Sequence, residues 1–327
     1  MTLRRAGLNP LNMAAYLDFE KPIAELRGRI AELREAAIGG AENIDAELAK
    51  LESKADKLLA DTYRRLTPWQ KTQVARHPER PHFKHYVAQM FEDFLPLSGD
   101  RNFGDDQAIQ CGLGRIAGQR VMVIGHEKGD DTASRLKHNF GMGKPEGYRK
   151  AIRLMHLADR YGIPVVTLVD TSGAFPGIQA EERGQAEAIA RSTQAMLELG
   201  VPVVAAIVGE GGSGGAVALA AANHVLMFEH AVYSVISPEG CASILWRTSE
   251  KAPEAAEAMQ ITAGQLKQLG VIDRIVAEPA GGAHRLPEVA ISGLAEAIAD
   301  SLATLSKLSH DALKQGRRQK FLAIGSI

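Results

Sequence analysis

Residues 208–216 read "VGEGGSGGA", five glycines in nine positions, set between the apolar runs "VPVVAAIV" and "AVALAAA". Three chemistries use such a spacing. Gly209, Gly211 and Gly214 fit G-x-G-x-x-G, the dinucleotide turn, and Glu229 follows Gly209 at the distance of a ribose-binding carboxylate. Gly211, Ser213 and Gly215 fit G-x-S-x-G, the hydrolase elbow, with Asp273 and His284 downstream in the matching order. The third chemistry is a helix start that aims backbone N–H groups at an oxyanion. A Walker phosphate loop fails, because no Lys-Ser or Lys-Thr follows the glycines. Tight strand–helix packing accounts for one or two glycines but not five, since each costs up to about 1 kcal/mol against alanine in a regular element.

A second loop has the same build. "VTLVDTSGAFPGIQAEERG" (166–184) runs from a strand through Asp170, Gly173 and Gly177 into a helix. In open α/β sheets ligands gather at the C-terminal ends of strands. Glycine lets backbone N–H groups come close to a ligand, and the first N–H groups of a helix carry partial positive charge. Two such turns in succession suit the stabilisation of developing negative charge. Asp170 reads as a structural turn-capper.

The elements that position these loops show in the periodicity. Ile23, Leu26, Ile30 and Leu33, then Ile44, Leu48, Leu51, Ala55, Leu58 and Thr62, form two helical seams broken by "IGGAEN" (38–43). Thr67, Pro68 and Gln70 spell a capped helix start. "HYVAQMFEDFL" (85–95) has helical period. "QAIQCGLGRI" and "RVMVIGH" read as a hairpin around "AGQ" (117–119). Strands are predicted at 121–125, 163–169, 201–208, 224–228, 232–236 and 271–276, and helices at 145–162, 180–200, 214–222, 237–246 and 252–259. The runs "IPVVTLV" and "VPVVAAIV" lack alternation, so both faces are covered and the sheet is parallel, in an α/β fold. Ser237 caps a helix that Pro238 opens.

Composition sets the bounds. The 327 residues are 45% hydrophobic and 24% charged, with a net charge of −1, which gives no sign of nucleic-acid binding. No run of 18 apolar residues and no apolar leader segment is present, so the chain is expected in the cytoplasm, away from membranes. Cys111 and Cys241 form no C-x-x-C and are expected to be buried thiols. His126 and His284 stand alone and read as structural histidines.

The stretches "LDFEKPIAELRGRI" (17–30), "RHPERP" (76–81), "FGMGKPEGYRKAIRLM" (140–155), "DTSGAFPGIQAEERGQAEAIA" (170–190), "VGEGGSGGA" (208–216), "YSVISPEGCASILW" (233–246) and "EPAGGAHR" (278–285) occur in one order. Together they resemble the alpha-subunit family of bacterial acetyl-coenzyme A carboxylase carboxyltransferases. The resemblance implies a crotonase-like β-β-α spiral, to which the two helical seams add an N-terminal helical arm, either a helix pair folded on itself or on the core or a docking arm for another subunit. The chain then divides into a loose extension (1–12), the arm (13–82) and a carboxyltransferase core with C-terminal helices (83–327). The family begins near "LDFE", which makes Met13 an alternative start to Met1.

The resemblance also implies the reaction. A carboxyl group passes from carboxybiotin, on a biotin carboxyl carrier protein, to acetyl-coenzyme A, giving malonyl-coenzyme A for fatty-acid synthesis. The chain would bind no cofactor and no metal of its own. A beta subunit would complete an α2β2 assembly and hold the zinc, and a biotin carboxylase would use the ATP. By resemblance Gly214 and Gly215 donate to the biotin enolate oxygen. Gly211, Gly212, Ser213, Gly173, Ala174, Phe175, Pro176, Gly177, Ser237, Pro238, Glu239 and Gly240 line the substrates. Ser172 and Phe175 stand where the family commonly has Pro and Tyr, leaving a more flexible turn. Lys144, Arg149 or Lys150 could meet carrier or coenzyme. Two other classes stay open: a lone crotonase-type hydratase or isomerase using Glu210 or Glu239 as its carboxylate, and a scaffold that binds through the helical arm.

Overall fold

The computed structural model describes residues 16–38 and 44–325, in two compact units divided between Arg64 and Arg65. The expected extension (1–12), the Met13 start and most of the "IGGAEN" break lie outside the described residues. In the first unit the helices Lys21–Ile38 and Asp45–Arg64 form a hairpin. Buried Glu20 ties its ends: the carboxylate accepts from Tyr63 Oη at 2.9 Å and from Leu17 N–H at 2.8 Å. The second seam turns by one residue from the sequence reading, with Leu59 and Tyr63 buried and Leu58 and Thr62 half-buried. The helix Pro68–Ala75, expected with the arm, belongs to the second unit. Its cap is as the sequence reads: Thr67 Oγ1 accepts from Gln70 N–H, and Gln70 Oε1 from Thr67 N–H.

The second unit is built on one sheet. Its strands are β1 (Glu92–Pro96), β2 (Ile109–Ile116), β3 (Gln119–His126), β4 (Val165–Thr171), β5 (Val203–Gly212), β6 (His224–Phe228), β7 (Val232–Ser234) and β8 (Arg274–Val276). The spatial order is β1-β2-β3-β4-β5-β6-β8, with β7 also on β5. β1, β2 and β3 pair antiparallel and all later pairs are parallel. The β2–β3 turn is only Ala117–Gly118, both at positive φ as a two-residue hairpin requires, and Gln119 already pairs with Ile116. Every residue of β4 and β5 is buried, as two covered faces demand. The helices Pro145–Arg160 and Gln185–Glu198 pack on one another beside them.

Several elements differ from the sequence reading. The helix expected to reach 95 stops at Met90, and Glu92–Pro96 becomes an edge strand that lays Phe94 over Gly112. The helix expected at 180–200 breaks into Ile178–Glu182 and Gln185–Glu198, because Gly184 turns left-handed (φ +80°). The strand expected to end at 208 runs on to Gly212, and the helix after it is only Ser213–Val217. The last two strands are shorter than expected, 232–234 and 274–276. Cys111 is buried and Cys241 only half-buried.

The helix His310–Ala323 closes the core through Arg317, whose guanidinium is fully buried. It donates to the carbonyls of Met196 (2.6 Å), Leu199 (2.8 Å) and Val201 (3.1 Å), and to Asn223 Oδ1 (2.5 Å). These oxygens end one helix and lead into β5, so the side chain satisfies carbonyls that burial would otherwise strand.

Candidate functional site

β4 and β5 are parallel neighbours, so their outgoing loops leave from the same sheet edge. Their backbones touch. A Cβ on Gly212 would fall 2.5 Å from the carbonyl carbon of Ser172. On Gly215 it would fall 2.8 Å from the Gly173 carbonyl carbon and 2.9 Å from Ala174 N. Glycine at these positions is therefore a packing requirement: the two loops meet main chain against main chain, with Gly212 and Gly215 buried at the seam. Gly214 is less crowded, its nearest neighbour being the Ile189 methyl at 3.3 Å. Ser213 joins strand to helix in the left-handed region (φ +56°), which costs roughly 1–2 kcal/mol in an L-residue. The N–H groups of Gly214 and Gly215 belong to the first turn after it, where no intrahelical acceptor exists.

The second loop is held from behind. Phe175 N–H donates to Gly143 O at 3.0 Å, and buried Gln185 donates to the carbonyls of Gly143 (2.8 Å) and Phe175 (3.0 Å). Lys144 Nζ lies 5.1 Å from the centroid of the Phe175 ring, against which Gly177 also packs. Pro176 stands between them in the same turn. Tyr148 is wholly buried, and its hydroxyl, which has no hydrogen-bond partner among the described residues, reaches the Gly215 position.

The third predicted segment joins through β7, where Tyr233 pairs with Gly211 and Ser234 with Gly212. Ser237 Oγ accepts from Gly240 N–H at 3.1 Å and Pro238 opens the helix, as the sequence reads. Glu239, one residue on, reaches Arg76. The structure thus brings together the glycine strand, the 172–177 turn and the 237–240 cap. Beside them lies a cavity of about 250 Å³, lined by Arg76, Arg80, Lys128, Asp170, Ser172 and Glu210 among others.

Sequence reasoning missed the charges that fasten this edge. Asp170 Oδ1 accepts from Glu210 N–H at 2.9 Å and meets Lys128 Nζ at 2.6 Å. Burial pushes the Asp170 carboxyl up, but Lys128 and His82 pull it further down, below the usual range. Arg76 donates through Nε and Nη2 to Glu210 Oε1 (3.0 and 2.6 Å) and through Nη1 and Nη2 to Glu239 (2.5 and 3.3 Å). Arg80 makes two 2.8 Å bonds to buried Glu278. The signals were the charged residues of "RHPERP", whose partners lie over a hundred positions away.

The rival chemistries fail on geometry. In the elbow reading Asp273 caps β8, where its carboxylate accepts from Val225 N–H. Val225 is level with Ala205 of β5, eight residues back from Ser213 and about 26 Å along the strand. His284 stacks on His77 with centroids 3.9 Å apart, and burial lowers it to about 2. In the dinucleotide reading Gly209 and Gly211 should form the turn, yet both lie inside β5. The carboxylates of a lone hydratase are both spent on Arg76. Of the surface charges singled out by sequence, Lys150 is buried and bonded to Asp105 (2.5 Å) and Asp106 O (2.7 Å), so it meets no outside molecule. Arg149 is turned to Arg183 O and Glu187. His126 is buried, and burial lowers it to about 4, so it stays neutral.

Solved structures with the same architecture include carboxyltransferases of the crotonase fold. Transcarboxylase 12S matches with a TM-score of 0.58 at 19% identity, over 70% of this chain and 42% of that one. The beta subunit of Pseudomonas aeruginosa geranyl-CoA carboxylase matches at 0.53 and 19%, over 73% and 45%. These likenesses define a crotonase-fold protein. Sequence goes further. The family model for acetyl co-enzyme A carboxylase carboxyltransferase-like proteins matches residues 16–325, and the chain belongs to that family. Relatives described as acetyl-coenzyme A carboxylase carboxyl transferase subunit alpha are 72% identical in Rhizorhabdus wittichii and 68% in Zymomonas mobilis. Each match covers 96% of this chain and the whole relative. It is an enzyme subunit, a carboxyltransferase component of a multi-subunit acetyl-CoA carboxylase. Among the described residues no single helix is long and apolar enough to cross a membrane.

Proposed function

We propose that this chain carries the biotin side of a carboxyltransferase that makes malonyl-coenzyme A in the cytoplasm. The carboxyl group passes from carboxybiotin, brought by a biotin carboxyl carrier protein, to the methyl carbon of acetyl-coenzyme A. The proton given up by that methyl group goes to biotin. As the carboxyl group leaves, negative charge builds on the ureido oxygen, and the N–H groups of Gly214 and Gly215 stabilise it. Removing one such donor typically costs about 3 kcal/mol. The observation that carries this reading is the main-chain contact where the two loops abut, with no room for a Cβ at Gly212 or Gly215 and a left-handed residue setting the start of the helix to which Gly214 and Gly215 belong. Main-chain N–H groups at a helix start suit an oxygen on which negative charge develops, and no side-chain base is needed there.

The partner reading has its own support. Val235, Ile244, Leu245 and Trp246 are 77, 72, 62 and 40% exposed, immediately beside the 237–240 cap. Such an apolar face next to a site fits a protein interface. A beta subunit seated there would bring the thioester-side donors and the zinc, in an α2β2 assembly, and a biotin carboxylase would consume the ATP. The test is malonyl-coenzyme A decarboxylation with free biotin by this chain, by the beta chain and by the two mixed. Turnover only in the mixture is expected. Coenzyme-A chemistry by the isolated chain, or none in an assembled mixture, overturns the reading.

A further inference from the structure

We infer that Arg76 is a positioning residue, a strut that fixes the glycine strand to the helix Pro238–Trp246 and thereby holds the backbone donors of Gly214 and Gly215 in place. The inference rests on the proposed function for its kinetic part only.

The strand end needs an outside clamp. Five of the residues from 208 to 216 are glycine, the backbone most costly to order. Ser213 sits in a conformation that persists only where its surroundings over-determine it. The one long side chain in the stretch is Glu210, four residues before Gly214. Its N–H is pinned by Asp170, itself paired with Lys128, and its buried carboxylate accepts twice from Arg76. The same guanidinium turns its remaining edge to Glu239, in the first turn of the neighbouring helix. That helix carries the exposed apolar residues Ile244, Leu245 and Trp246. One side chain thus spans from the docking helix to the glycine strand.

Arg76 is itself well placed to bear on both. It caps the helix Pro68–Ala75, its own N–H bonded to Thr72 O at 3.1 Å, and Pro78 limits the chain beyond. Two carboxylates hold it firmly charged against the burial that opposes them. The planar fork matters: a guanidinium can offer parallel N–H pairs to two carboxylates at once, and a lysine ammonium cannot reproduce that geometry. Without the cation, Glu210 and Glu239 would be two close carboxylates with no partner between them, and repulsion would drive the strand end and the helix apart.

The experiment measures amide hydrogen exchange in the full-length chain, wild type against Arg76→Gln, Arg76→Lys and Glu239→Ala. For Arg76→Gln, exchange across residues 208–216 should quicken at least tenfold while residues 165–168 of β4 keep their wild-type protection. Arg76→Lys should fall between, and Glu239→Ala, at a half-exposed site, should show the same pattern more weakly. In the assembled carboxyltransferase, Arg76→Gln should lower kcat for malonyl-coenzyme A decarboxylation ten- to a hundredfold with KM within twofold. Arg76→Gln combined with Glu239→Gln, which removes the repulsion, should recover part of it. Wild-type protection of 208–216 in a folded Arg76→Gln chain overturns the strut. If that variant does not fold, unchanged exchange in Glu239→Ala does so instead. An inactive wild-type assembly would remove the proposed function and leave the exchange result standing.

Discussion

Replacing Gly215 by alanine adds one methyl group where two main chains meet. The Cβ would sit 2.8 Å from the Gly173 carbonyl carbon and 2.9 Å from Ala174 N. Unstrained carbon contacts begin near 3.5 Å, so the loops must separate by roughly 0.7 Å. Overpacking of this kind costs about 1–3 kcal/mol of stability. On the proposed role of Gly215 the catalytic cost is larger, because oxyanion donors act over a narrow range of about 2.7–3.1 Å and such a shift would take its N–H out of it. A loss of about 3 kcal/mol corresponds to roughly a hundredfold in kcat. Gly214→Ala is the internal control. Its Cβ meets only the Ile189 methyl at 3.3 Å, it keeps its N–H, and its φ is not positive. It should stay within about threefold of wild type. The assay is malonyl-coenzyme A decarboxylation by the assembled pair, with assembly checked by gel filtration. An active Gly215→Ala, or a Gly214→Ala as impaired as Gly215→Ala, would refute the reasoning from loop contact.

Tyr148→Phe removes a buried hydroxyl that has no partner among the described residues, so the melting temperature should be unchanged or raised; a fall of several degrees would mean the hydroxyl is bonded in solution. Burial pushes Glu278 up, but Arg80 holds it down at about 2, so its stabilisation is complete above the unfolded carboxyl value near 4.5 and disappears as pH falls from there toward 2. That interval is worth on the order of 3 kcal/mol, and Glu278→Gln should flatten the acid limb of a urea-unfolding series while lowering stability at neutral pH. If the proposed beta subunit seats on this exposed apolar face, Leu245→Lys should leave the isolated chain's melting unchanged and weaken binding to that subunit at least tenfold by titration calorimetry. Unaltered binding would move the interface elsewhere.

Much of the site was legible because its determinants are local. Thr67 and Gln70, and Ser237 with Pro238, specify their helix starts within four residues, and the structure shows those caps. Unalternating β4 and β5 implied a parallel buried pair, from which the adjacency of the two glycine loops follows. Where the outcome depended on distant partners, the sequence was silent. "EDFLP" has no strand alternation and becomes β1 only because β2 offers a free edge. Arg76 meets Glu210 and Glu239 from 134 and 163 positions away, so nothing near "RHPERP" identified its partners. The left-handed Ser213 could be suspected from its glycine neighbours but not assigned, since strain depends on the surrounding fold.

Arg317 bears on the order in which this protein can be made. The carbonyl it covers at Met196 precedes it by 121 residues. During synthesis β5 and the glycine strand emerge long before the side chain that completes their surroundings, and for that interval several interior carbonyls have only water. The nascent chain should therefore hold its core in an unfinished, chaperone-accessible form until the helix His310–Ala323 arrives. A chain that stopped before that helix would leave the carbonyls of Met196, Leu199 and Val201 without their guanidinium.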